Sequence, residues 1–103
     1  MSTLLQIMDE IRRERNRQDL KWGEQNHPDG TGPEASDSSL EAHRARNACR
    51  YAAKRGAVTW RHILREEFAE AMAEGDPMAL RAELVQVAAV AVAWVEAIDR
   101  RPR

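Results

Sequence analysis

Residues 59–100, TWRHILREEFAEAMAEGDPMALRAELVQVAAVAVAWVEAIDR, decide the fold. They read as a helix, a tight turn and a second helix. Gly75-Asp76-Pro77 supplies the punctuation: Gly past a helix end, Asp as N-cap, Pro at the first helical position. Two helices joined this closely run antiparallel and side by side. The acidic run Glu66-Glu67-Phe68-Ala69-Glu70 is thereby carried toward Glu83-Leu84-Val85-Gln86.

Angular position sharpens the reading. At about 100° per residue, Trp60, Leu64, Phe68, Ala71 and Met72 form an apolar stripe. Glu67 and Glu70 fall on its edge, one turn apart, and Glu66 lies nearer the polar side. From Leu84 to Val95 every residue except Gln86 is apolar, so the second helix is expected to be buried nearly all round. Glu83 and Gln86 share a face at the start of that run.

Carboxylates at a core edge are costly unless compensated. One compensation is a divalent cation: Mg²⁺ takes hard oxygen ligands and keeps places for water and phosphate. Glu67, Glu70 and Glu83, with the amide oxygen of Gln86, suit it. The plainer alternative is solvation, or pairing with Arg61, Arg65 or Arg81.

The pattern E-E-x-x-E, a gap, then E-x-x-D resembles that of the MazG-like all-α nucleoside triphosphate pyrophosphohydrolases. Here it stands as Glu66-Glu67-Phe68-Ala69-Glu70 and Glu83-Leu84-Val85-Gln86, and the likeness covers Trp60–Ile98. Gln86 replaces the family's Asp, so one negative charge is missing. The resemblance implies a Mg²⁺-dependent enzyme, with Mn²⁺ as a substitute, that cleaves a nucleotide to the monophosphate and pyrophosphate. It implies metal ligands Glu67, Glu70, Glu83 and Gln86, and catalytic work by Glu66, Glu67 and Glu70. A fourth helix apolar on nearly every side needs more cover than three short, partly polar helices offer, so self-association as a homodimer or homotetramer is expected, and the resemblance supports it. The alternative is a module that binds nucleotide without cleaving it, or a helical protein-interaction module.

The rest of the chain completes an all-α, four-helix bundle-like single domain over residues 1–103. Residues 3–21 read as a first helix. Leu4, Leu5, Met8 and Ile11 make its short apolar stripe, and Arg12 to Asp19 is polar all round. That polar run is a solvated face with ion pairs, or it lines a pocket or subunit contact. Gly23 offers a left-handed C-cap. A loop of about 23–37 follows, rich in Gly, Pro, Ser and Asp, and is functional or mobile. Trp22, Asn26 and His27 can stack on and hydrogen-bond a nucleobase, or Trp22 can close one end of the core. The family has an aromatic and a His-x-Pro-like segment at this place; here it is His27-Pro28.

Ser38 and Glu41 fit a capping box for a second helix running to about Arg55. Arg44, Arg46, Arg50, Lys54 and Arg55 make it basic on one side. Arg50 and Lys54, one turn apart, are candidate triphosphate ligands; a solvated basic face is the alternative. Thr59 is the expected N-cap of the third helix. Residues 100–103 read as a frayed tail.

Composition sets outer bounds. The chain has 103 residues, 43% hydrophobic and 32% charged, with a net charge of −1. That near-neutral balance gives no footprint for nucleic acid, and the fourth helix is too apolar for DNA recognition. Cys49, the only cysteine, can form no intrachain disulfide, which fits a reducing cytoplasm. The N-terminus lacks the pattern of a signal peptide. The run Leu84–Val95 is expected to be too short to cross a membrane, which needs roughly 20 residues. Phosphate-loop, dinucleotide and zinc spacings are absent.

Overall fold

The computed structural model describes residues 2–102. These form four helices: α1 (Leu4–Trp22), α2 (Ser38–Lys54), α3 (Trp60–Met72) and α4 (Pro77–Asp99). There is no strand among the described residues, so the all-helical expectation holds. The chain divides into two compact units. One holds the chain up to Asp29 and from Val92 onward; the other is Gly30–Ala91. Each is taken by itself.

In the first unit, Thr3 starts α1 with a reciprocal box. The Gln6 N–H donates to Thr3 Oγ1 at 3.2 Å, and the Thr3 N–H donates to Gln6 Oε1 at 2.8 Å. The polar run resolves into helical ion pairs, Arg12–Asp9, Arg13–Asp9, Arg15–Asp19 and Arg17–Glu14. The Arg12 guanidinium, through its hydrogen bond, holds the Asp9 carboxyl below its usual value. Gly23 ends the helix with its N–H on Asp19 O, 2.8 Å away. Its φ of 69° is positive as expected, but ψ of −167° lies outside the left-handed helical well. Ile7 is the buried residue of α1; the expected stripe Leu4, Leu5, Met8 and Ile11 stays exposed.

The second unit is built on α2 against α3. Its core cluster is Ala42, Ala45 and Ala69, with Ala73 packed on it. Side chains this small let two backbones approach closely. Ala45 meets Ala69 and Arg46 meets Glu70; one turn further down α2, Cys49 meets Glu66, one turn back along α3. The pair is therefore antiparallel. Phe68, expected in the buried stripe of α3, is exposed; Ala71 of that stripe is buried as expected, and Ala69, outside it, is buried as well.

The ends of these helices correct two expectations. The Ser38–Glu41 box does not form. Asp37 occupies the N-cap position in the left-handed conformation, without a side-chain cap. Ser38 is already helical and donates its hydroxyl to Ala35 O at 2.5 Å, while Glu41 faces Arg44 and Arg65. Gly75 is not a left-handed cap either, because α3 closes at Ala73 with an ordinary helical backbone. Gly75 is instead where the loop crosses closely. Gly32 donates its N–H to Met72 O at 3.0 Å, and Thr31 Oγ1 donates to Glu74 O at 2.7 Å. A Cβ added at Gly75 would meet Pro33 Cδ at 3.5 Å. Thr31 and Gly32 thus satisfy carbonyls that the end of α3 leaves open.

Two other caps form as expected. The Thr59 box uses His62, whose Nδ1 accepts from the Thr59 N–H at 3.1 Å. Asp76 Oδ2 accepts from the Ala79 N–H at 2.9 Å, with Pro77 as the first residue of α4.

Helix α4 departs furthest from expectation. Leu80 is its buried residue, while Met78, Leu84, Val85, Val95 and Ile98 are exposed. The large residues buried among those described are Ile7 and Leu80; the others are Ala and Gly32. The helix is also longer than its Leu84–Val95 run. It has 23 residues and a mean hydropathy of 1.6 over its best window, enough by length and composition to cross a membrane. Soluble core helices reach the same figures, and α4 carries Arg81, Glu83, Glu96 and Asp99.

Candidate metal centre

Glu67 and Glu70 lie three apart on α3 and so share a face. The four residues from Ala73 to Asp76 return the chain into α4, where Glu83 stands in the second turn. Each of the three offers a carboxylate oxygen, and these oxygens lie within 4.8 Å of one another. All three side chains are half-buried.

That crowding has a visible cost. The Glu67 carboxyl is pushed above its usual value, first by burial, then by the charges of Glu70, Glu83 and Glu66. Two like charges near 5 Å apart repel by about 3 kcal/mol at an effective dielectric of 20. A hard divalent cation removes that repulsion. Opposite ligands of an octahedral Mg²⁺ stand about 4 Å apart, so the donor set fits the ion with small side-chain movement.

The other candidates fall into four places. Glu66 turns to α2. Burial raises the Cys49 thiol above its usual value, and the hydrogen bond to Glu66 and the charge of Glu66 raise it further. The thiol therefore stays protonated and donates to the Glu66 carboxylate. Gln86 lies one turn beyond Glu83 on α4 and is exposed. Arg50 and Lys54 are exposed on α2, one and two turns past Arg46 toward the stretch that faces the start of α3.

Trp22, Asn26 and His27 belong to the first unit. Trp22 is 62% exposed, and the Lys21 ammonium sits 4.8 Å from its ring centre. His27 Nε2 is 3.0 Å from Gln25 Oε1.

Arg46 was not singled out by sequence reasoning. Its Nε lies 3.7 Å from Glu70 Oε1. The available signal was indirect: Arg46 follows Ala45 as Glu70 follows Ala69, but the register of α2 on α3 is needed to use it.

No family model, curated protein or solved structure matches the chain.

Proposed function

We propose that the protein is a divalent-metal-dependent nucleotide pyrophosphohydrolase of the MazG-like kind. One observation carries the reading: Glu67, Glu70 and Glu83, from two helices, gather their oxygens within 4.8 Å. Glu67, Glu70 and Glu83 are the residues that would hold Mg²⁺ or Mn²⁺, with Gln86 as an assisting neutral ligand. The ion, when bound, offsets phosphate charge and acidifies a nearby water. Glu66 orients or deprotonates the attacking water, and the Cys49 thiol steadies its carboxylate from the α2 side. Water adds at the α-phosphorus, the bond to the bridging oxygen breaks, and pyrophosphate leaves. Arg50 and Lys54 are assigned to the nucleotide phosphates.

The exposed apolar residues of α4 support a second part of the proposal, a homodimer or homotetramer that covers them. A soluble, cytoplasmic assembly is proposed in place of a membrane span because α4 carries Arg81 and Glu83 along its length.

A second reading is kept for one reason. Gln86 is neutral and exposed where the resemblance calls for Asp. In that reading the same residues bind nucleotide without cleaving it. Pyrophosphate release from a nucleotide panel, with and without Mg²⁺, separates the two. Turnover that needs Mg²⁺ and falls by about 100-fold or more in Glu70→Gln supports the hydrolase. Full activity in a folded Glu70→Gln protein removes the assigned site. Tight binding with no turnover selects the second reading.

A further inference from the structure

The cation at the rim of the carboxylates is neither of the two the sequence suggested. Ala45 is 1% exposed and packs with Ala69 in the core cluster. That contact sets the next residue on each helix, Arg46 and Glu70, side by side. Glu70 is itself one of the three converging carboxylates. Arg46 is therefore held at the cluster by a packed alanine seam.

The contact between them is loose. At 3.7 Å, Nε to Oε1 is an ion pair but too long for a hydrogen bond. The guanidinium side chain is 36% exposed, so it reaches the cluster while keeping a wet side. Its fork of N–H donors is left largely uncommitted. Charge makes the same point. Three carboxylates and one guanidinium total −2, which one divalent cation balances. A triphosphate tail then brings further negative charge, and a cation already at the rim meets it. Arginine's planar fork suits phosphate oxygens in pairs.

We propose that Arg46 is a substrate-binding residue that exchanges its loose contact with Glu70 for a bidentate contact with the phosphate chain. The proposal rests on the hydrolase reading above and adds to it the group that receives the phosphates. Arg46 takes no part in holding the metal, so removing it leaves metal affinity intact or raised, because a positive charge beside the carboxylates is lost.

The test uses two probes on the full chain by calorimetry: Mn²⁺ alone, and inorganic triphosphate with Mg²⁺. Arg46→Met is expected to bind Mn²⁺ at least as tightly as the parent and to bind triphosphate about 10- to 100-fold more weakly. Arg46→Lys keeps the charge without the fork. It is expected to hold Mn²⁺ normally and triphosphate several-fold more weakly. Triphosphate affinity in Arg46→Met within two-fold of the parent overturns the proposal while leaving the metal site standing. Equal loss of both probes overturns it too, because Arg46 would then serve only to place Glu70. If helical circular dichroism shows Arg46→Met unfolded, Arg46→Lys decides alone, and unchanged triphosphate binding there overturns the assignment. A parent protein that binds neither probe defeats the hydrolase reading itself.

Discussion

Helix α3 and helix α4 invert the usual relation between composition and burial. α3 carries Arg61, Arg65, Glu66, Glu67 and Glu70, yet it packs on α2 and half-buries its three glutamates. α4 is mostly Ala, Val and Leu, yet Leu84 and Val85 are about half exposed. The difference shows where each helix finds its partner. α3 finds one inside the chain, through alanines small enough to bring charged neighbours together. α4 keeps Met78, Leu84, Val85, Val95 and Ile98 exposed, and the proposal above covers them with another copy of the chain.

The sharpest way to break this contrast is at Val85, which is 54% exposed. Sedimentation at micromolar concentration is expected to show a dimer or larger for the parent. Val85→Glu is expected to drive it to monomer, since an unpaired charge trapped at an apolar seam costs on the order of 3 kcal/mol. A parent that is already monomeric would end the idea that α4 is covered by a second copy.

Next in size is the α2–α3 seam. Ala45→Leu puts a large side chain where Ala45 has almost no exposed surface. Overpacking of this kind costs about 1–3 kcal/mol. Thermal unfolding should show the loss, and the same change at exposed Ala53 should show almost none. Equal melting of both variants would mean the alanine packing does not hold the unit.

The smallest effect concerns Glu67. Its carboxyl titrates above the ordinary range in the folded chain, so the folded protein keeps a proton that the unfolded chain has released. Stability therefore falls as pH rises from the unfolded value through the raised folded value, and stays lower above it. In chelator, Glu67→Gln should melt a few degrees above the parent at pH 7, roughly 0.5–1 kcal/mol. The gap should close below the ordinary Glu value of about 4.3. A variant that melts lower at pH 7 would show that the Glu67 charge is stabilised by something other than a metal.

The helices were legible because their signals are local. Thr59 and Asp76 mark ends through bonds reaching only three residues, and Pro77 through the fixed backbone of its ring. Glu67 and Glu70 could be paired with Glu83 because a four-residue connection leaves α4 one way to return. The failures are of two kinds. At Ser38 the local signal was ambiguous, since a serine can cap a helix or bond back from inside it, and Asp37 took the left-handed position instead. Arg46 was invisible because its place depends on how α2 registers against α3, and alanines set that register without any pattern of their own. For α4 the sequence announced that the helix needs cover, and composition alone cannot say from which molecule the cover comes.

The central claim is that Glu67, Glu70 and Glu83 together hold one divalent ion. A Mn²⁺ titration by calorimetry on the parent, Glu70→Gln and Glu83→Gln tests it most directly. The account predicts saturable binding of one ion per chain in the parent, and at least ten-fold weaker binding in each folded variant. Binding that is absent in the parent, or unchanged in both variants, would contradict it.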